Sequence, residues 1–381
     1  MISGGGLSCW YVVERLHRAG VPVTVWSADT GQVDEPLENA FLDRMAALGL
    51  PLVRQDLRPA LGKIGLEIAR AQARLRTGYW NTTGALRVAL VAACAAWQDA
   101  TGLDAAQTGL AHGCVGLGND QRRFHRLFQA MRPAQTVQTC LADGSAAGER
   151  LTRARMTAAL TDWTGLPATL FAPRALWSFD GSILGVSHEG SLVEDHRSDW
   201  TRTPFAMTRD PLADGCAEEV TLGFQAGRLV SVGAGSGRPE LLLAEANRLA
   251  EAHGLGRIGV MEDRLKGTKC RGIYEAPGLT LLGRAWAALQ ELCLSAQDLA
   301  RFDALSAGIA ADIDSGNWHA TDARQRRQRI EALCAPLSGA VALTLRGGHV
   351  LLRRVDAEAA GIERRFASGG IAWAETHARP E

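Results

Sequence analysis

Apolar and polar positions follow two different rhythms along this chain. Through roughly the first 130 residues, short apolar runs alternate with segments of helical spacing, the pattern of a parallel sheet covered by helices. Val21–Trp26 reads as a strand. Leu37, Phe41, Met45 and Leu48 then recur at near-helical intervals, which predicts a helix from about Glu35 that Gly49 and Pro51 end. A second helix is predicted over Leu86–Trp97, and a strand over Thr108–His112 enters the loop Gly113–Asp120. From about residue 170 the pattern turns antiparallel, with long loops. Glu219–Phe224 and Arg228–Val232 flank Gln225-Ala226-Gly227, while Val341–Leu345 and Val350–Arg354 flank Gly347-Gly348, so each pair reads as a hairpin. Between them a helix is predicted with Ser236 as its cap, Pro239 in its first turn and its end near Gly254. The first half reads as α/β and the second as α+β.

Composition narrows the class. The chain has 381 residues, about right for two domains at roughly 100–200 residues each. With 46% hydrophobic and 22% charged residues it can bury a sizeable core, which excludes disorder of the whole chain. Lys plus Arg equals Asp plus Glu at 41 each, so there is no general pull toward nucleic acid or acidic membranes. The eight cysteines contain no CxxC pair, and neither a zinc ribbon nor a dithiol site is suggested. Val88–Trp97, the most apolar helical run, is about half the length needed to cross a bilayer. The N-terminus MISGGGLSCW lacks the basic region and long apolar stretch of a secretion signal. The expectation is a cytoplasmic protein with neither a membrane nor a nucleic-acid partner.

Ser3-Gly4-Gly5-Gly6-Leu7-Ser8 precedes a helical segment, Trp10–His17. Consecutive glycines leave backbone amides free to hold phosphate oxygens, helped by the positive end of the helix. Such a loop normally follows a strand. Only Met1 and Ile2 stand before this one, so its strand is expected to be missing or truncated.

Several further segments, taken in order, carry a specific resemblance. Ala28-Asp29-Thr30-Gly31-Gln32-Val33-Asp34-Glu35, Tyr79-Trp80-Asn81-Thr82-Thr83, and Gly113 through Gly118-Asn119-Asp120-Gln121 to Arg123-Phe124 resemble argininosuccinate synthase. The likeness continues through Ser178-Phe179-Asp180, Leu184-Gly185-Val186-Ser187-His188-Glu189 and Glu245-Ala246-Asn247-Arg248-Leu249. Its most specific block runs from Glu262-Asp263-Arg264 through Lys269-Cys270-Arg271-Gly272 to Ile273-Tyr274-Glu275-Ala276-Pro277-Gly278, where the family has KSRGIYE and a Pro-Gly. The blocks run over nearly the whole chain.

The resemblance implies a fold: a parallel-sheet nucleotide-binding domain of the adenine nucleotide alpha-hydrolase type over 1–170, an α+β synthetase domain over 171–360 and a short tail over 361–381. It also implies a reaction. Enzymes of the family join citrulline to aspartate with ATP and Mg2+: the ureido oxygen attacks the α-phosphate, pyrophosphate leaves, and the aspartate amine displaces AMP. Carried over residue by residue, Tyr79, Thr83, Arg123, Ser178, Ser187, Glu189, Glu262 and Tyr274 would form the citrulline pocket. Asn119 and Asp120 would meet aspartate, with Asp120 able to orient or deprotonate the attacking amine. Gly4, Gly5, Gly6, Leu7, Ser8, Ala28, Gly113 and Asp180 would hold the nucleotide. No protein ligand to a metal is named, and a homo-oligomer is compatible. Read singly, Arg123 and Glu262 are surface charges, Tyr79 and Tyr274 packing residues, and the hydroxyls turn residues.

The sequence also departs from the family. Where the family's loop reads SGGLDTS, this chain has Gly4-Gly5-Gly6-Leu7-Ser8-Cys9-Trp10; the backbone cradle is kept, but most polar groups are lost and Trp10 adds bulk at the helix entrance. Val115 stands for a threonine and Leu117 for a common lysine, both on the ATP and aspartate side. The C-terminal tail is only partly recognisable. A citrulline-type ligase, open to another ureido or amide substrate, is the first expectation; a non-catalytic paralogue that binds an amino acid or regulates a partner is the alternative.

Overall fold

The computed structural model describes residues 2–3, 6–31, 36–75, 78–113, 119–138, 141, 145–146, 149–172, 178–203, 205–213, 215–263 and 267–357. The chain is a mixed α/β protein with small parallel sheets in its first half and antiparallel sheets in its second. Its first unit runs β1 (Ile2–Ser3), α1 (Leu7–Arg18), β2 (Val25–Asp29), α2 (Pro36–Ala47) and β3 (Leu52–Asp56), with the three strands parallel and in that order. Among the described residues the strand before the glycine loop pairs through Ile2 opposite Trp26 and Ser3 opposite Ser27. β2 starts later than the apolar run suggests. Pro22 has no amide to give a ladder, and pairing begins only where Val25 donates to the Pro51 carbonyl at 2.8 Å.

Trp10 corrects one expectation. Its ring does not stand at the mouth of α1 but is buried beneath it, stacked on Phe41 at 4.5 Å and edge-on to Phe171 at 6.2 Å. An indole offers so much apolar surface that the core outcompetes the helix mouth for it.

Next come α3 (Arg58–Arg70), α4 (Thr82–Ala100), β4 (Gly109–Ala111), α5 (Asn119–Met131) and β5 (Thr136–Gln138), in which β4 and β5 pair in parallel. A short antiparallel ladder, β6 (Ser145–Ala146) with β7 (Glu149–Arg150), precedes α6 (Arg153–Thr164), which packs on α1. α4 is longer than predicted because Asn81 caps it, its side chain accepting from the Gly84 amide at 2.8 Å.

The second half contains β8 (Ser178–Ser182), β9 (Gly185–Glu189), β10 (Glu218–Gln225), β11 (Arg228–Val232), β12 (Gly235–Ser236), α7 (Pro239–Ala252), β13 (Arg257–Asp263) and β14 (Lys269–Glu275). It continues with α8 (Pro277–Cys293), α9 (Ala296–Ser315), α10 (Thr321–Cys334), β15 (Gly339–Arg346) and β16 (His349–Ala357). Both hairpins are present. They join one sheet of order β12-β11-β10-β15-β16, and a second sheet has order β13-β14-β9-β8. The predicted cap of α7 is misplaced: Arg238 occupies that position without a side-chain bond, and Ser236 belongs to β12 opposite Ser231. The three successive helices α8 to α10 were not expected. α8 buries residues on more than one side and so shows no single amphipathic stripe, whereas α9 keeps one through Phe302, Ser306, Ile309 and Ile313.

One core serves both halves. Trp26, Leu57 and Leu61 lie in the same buried cluster as Leu243, Leu279, Leu282, Trp286 and Leu343. α3 packs directly on α7 and α8, and Gly62 permits this, since a Cβ there would overlap the backbone of Glu240. Among the described residues no helix is long and apolar enough to cross a membrane.

Candidate substrate site

Register gathers the named residues of the second half. Across β13-β14-β9-β8, Ile258 pairs with Tyr274, Tyr274 with Ser187, and Ser187 with Asp180, while Glu262 lies opposite Cys270. Paired residues point the same way, as do residues two apart. Glu262, Tyr274, Ser187, Glu189 and Asp180 therefore share one face, with Ser178 opposite Glu189 by backbone pairing.

Tyr274 leans back along its strand over Gly272, where a Cβ would come within 2.6 Å of its hydroxyl, and donates to the Glu262 carboxylate at 2.8 Å. Tyr79 stacks on it at 4.4 Å with the rings 23° apart, within the electrostatic reach of the same carboxylate. Burial, reinforced by Glu262, pushes both phenols above their ordinary value, so both stay protonated donors. Tyr79 is carried by the tight connection between α3 and α4, where Leu75 donates to its carbonyl at 3.0 Å and the neighbouring Trp80 is held under Arg74 at 4.6 Å.

α4 and α5 add to this face. Thr83 is buried in the first turn of α4; Arg87, one turn on, bonds its carbonyl at 3.4 Å and pairs with Asp180 at 3.1 Å. Arg123 of α5 donates through Nε to the Asp314 carbonyl at 2.8 Å and through its terminal nitrogen to the Asp314 carboxylate at 2.6 Å. Asn81 donates to the same carboxylate at 3.1 Å. Ser187, 1% exposed, has a hydroxyl with no partner among the described residues. Leaving such a group unmet costs about 1–3 kcal/mol, a loss that a polar ligand recovers.

The opposite face of the same sheet is saturated. Glu275 is fully buried and accepts from the amides of Ala206 at 2.7 Å, Met207 at 3.0 Å and Thr208 at 2.8 Å, and from the Thr208 hydroxyl at 2.6 Å. His188 bonds it at 2.8 Å. Burial alone would raise its carboxyl, but these bonds outweigh burial and hold it below the usual carboxylate range. Arg271 likewise clamps the loop after β9 through the carbonyls of Val193 at 2.6 Å and Ser198 at 2.9 Å.

Sequence comparison supplies the family. The family profile described as arginosuccinate synthase C-terminal domain matches residues 177–365. The argininosuccinate synthase of Synechococcus sp. (strain WH7803) is 32% identical over 333 residues, 87% of this chain and 80% of its own. That of Synechococcus sp. (strain RCC307) is 34% identical over 306 residues, covering 79% and 72%, and the chloroplastic enzyme of Arabidopsis thaliana is 30% identical over 349 residues, covering 91% and 69%. The chain belongs to the argininosuccinate synthase family.

Of the residues that resemblance to argininosuccinate synthase assigns to the nucleotide, Asp180 lies on the Tyr274 face itself, and the others come from the first unit and from just past β4. Ala28 is half-buried on β2, and the turn after it is tied to the β8–β9 hairpin that carries Asp180: Thr30 donates to the Gly181 carbonyl at 3.3 Å, and Ile183 donates to the Thr30 carbonyl at 3.0 Å. Gly113 is pressed against the backbone of Cys9, where a Cβ would overlap it. Gly6 caps α1 without a side-chain bond; Leu7 and Ser8, both half-buried, follow in its first turn, which has no acidic residue. Gly4, Gly5, Val115 and Leu117 lie outside the described residues, and for Asn119, Asp120 and Ser178 the backbone alone is described. Sequence reasoning missed Asn81, Arg87, Gly272 and Asp314. The first three sit inside or beside the motif blocks; Asp314, 191 residues from Arg123, had no signal at all.

Proposed function

We propose that this protein is an ATP-dependent carbon–nitrogen ligase of the argininosuccinate synthase type, acting on a ureido compound and an aspartate-like amine. The single observation that carries this reading is the Tyr274 face, with two stacked phenols beside Glu262, the unmet Ser187 hydroxyl, and Glu189 and Asp180 in register beside them. Such a surface offers donors and acceptors at fixed separations and suits a planar ureido group with a polar tail.

In this reading residues 1–170 form a nucleotide-binding domain of the adenine nucleotide alpha-hydrolase type, residues 171–360 the synthetase domain and 361–381 a tail. The start of α1 suits phosphate oxygens through its backbone: a glycine cap, a positive helix end and no acidic side chain in its first turn. Among the described residues no group of three His, Cys, Asp or Glu is arranged to hold a metal, so magnesium would arrive on the phosphates and screen their charge. Tyr79, Tyr274 and Glu262 would hold the ureido compound while its oxygen attacks the α-phosphate and pyrophosphate departs. Asn119 and Asp120, which open α5, would orient the amine that then displaces AMP.

The rebuilt loop favours a second reading. α1 begins without the aspartate, threonine and serine of the family's SGGLDTS, which supports a non-catalytic paralogue that binds an amino acid or regulates a partner. The test is release of AMP and pyrophosphate from ATP and magnesium in the presence of aspartate and a panel of ureido compounds. Release that depends on a ureido compound supports the ligase. Calorimetric binding of such a compound with no release selects the paralogue.

A further inference from the structure

Arg123 is the one arginine that resemblance assigns to the amino-acid pocket, and a guanidinium donates without accepting, so its natural ligand partner is a carboxylate. In this chain that role is filled internally. Asp314 accepts from Arg123 at 2.6 Å through its side chain and 2.8 Å through its carbonyl, and the Arg123 side chain is only 9% exposed.

The arrangement is fixed from three directions. Asn81 donates to the Asp314 carboxylate at 3.1 Å while its own oxygen accepts from Gly84 at 2.8 Å, so the amide orientation is set at both ends. Asp314 lies in the last turn of α9, whose negative helix end adds to its attraction for the arginine. Gly316 ends that helix in the left-handed region (φ 78°), with its Cα close against the Arg123 backbone; a side chain there would hold α5 and α9 apart.

We propose that Asp314 occupies, from within the chain, the place at Arg123 that a ligand carboxylate would take, and that the compound accepted here is a ureido amine: a ureido tail and a cationic amine, without the carboxylate of an amino acid. This rests on the ureido-pocket reading above. A ligand carboxylate at Arg123 must either displace Asp314, whose side chain is 37% exposed beside the buried guanidinium, or lie next to it, two like charges on one guanidinium. Arg87, the arginine that α4 brings to this face, is already engaged by Asp180. Glu262 and Glu189 share the neighbouring sheet face and favour a cation. The site thus selects by rejecting a carboxylate as well as by attracting an amine.

The experiment is calorimetric titration of the full chain, as wild type, Asp314→Asn and Asp314→Ala, with citrulline and with decarboxylated citrulline. Wild type should bind the decarboxylated compound at least about tenfold more tightly, and both variants should shift the ratio toward citrulline by about tenfold. Asp314→Asn keeps the shape of the side chain, and a ratio of two ligands on one protein cancels any loss of folded fraction. Wild type that prefers citrulline or treats the two alike, or an unchanged ratio in Asp314→Asn, overturns the proposal and leaves the ureido pocket standing. If neither compound binds any of the three proteins, the ureido reading fails and takes the proposal with it.

Discussion

On one side of the sheet β13-β14-β9-β8, Glu275 receives hydrogen bonds from Ala206, Met207, Thr208 and His188; on the other, Ser187 receives none among the described residues and Glu262 is met by Tyr274. Neighbouring residues of one strand, Tyr274 and Glu275, thus face opposite environments. Polar groups that the chain satisfies itself strap a loop to the sheet. A buried hydroxyl left short of partners is a standing cost, which a polar ligand at Ser187 would recover.

The comparison is broken most severely at Glu275. Glu275→Gln turns an amide toward the backbone N–H groups that now point at a carboxylate, and should lower the unfolding free energy by about 3 kcal/mol. Urea unfolding measures this, and a loss under about 1 kcal/mol would make the two faces equivalent.

The faces should also fail at opposite ends of the pH scale. The Glu275 carboxyl is depressed in the folded chain, so its contribution is present above its ordinary value of 4.5 and is lost as pH falls through the lower folded value. Glu275→Gln should flatten that acid limb. His319, which burial pushes down to about 4, resists charging in the fold; its cost begins earlier, as pH falls from 6.5, and persists in the variant. The Tyr79 and Tyr274 phenols are raised instead, so their contribution is present below pH 10 and is lost as pH rises above it. Melting temperature against pH for wild type, Glu275→Gln and Tyr79→Phe separates these limbs.

At Glu262 the expected effect moves from stability to binding. Glu262→Gln should cost roughly 2 kcal/mol of ureido-ligand affinity, about thirtyfold, because a charged acceptor becomes neutral, while unfolding changes by less than about 1 kcal/mol. Calorimetry beside urea unfolding gives both numbers, and the reverse split would make Glu262 a structural residue.

The smallest effect is expected at Gly272. A Cβ there meets the Tyr274 hydroxyl, so Gly272→Ala should displace the ring from Glu262 and weaken the same ligand by about 1 kcal/mol. Combined with Tyr274→Phe it should add little, since both changes break one bond.

How much of this was legible depended on distance along the chain. Both hairpins, the helix after Pro36 and the blocks around Tyr79, Ser187 and Tyr274 carry their own local signals: alternation, turn glycines and motif spacing. Helix α8 does not, because a helix apolar on several sides lacks the stripe by which sequence reveals it. Trp10 was misread because its position beside the loop is local, whereas its destination against Phe41 and Phe171 is set by packing.

The sequence by itself determined the family, the α/β and α+β rhythms and the residues of the Tyr274 face, since alternation along a strand assigns sides before any strand is paired. Only the tertiary structure decided that Glu275 is spent on a loop, that Gly272 makes room for a tyrosine, and that Asp314 meets Arg123. The last contact joins helices 191 residues apart. No local pattern encodes such a meeting; it exists because a shared core packs α9 against α5.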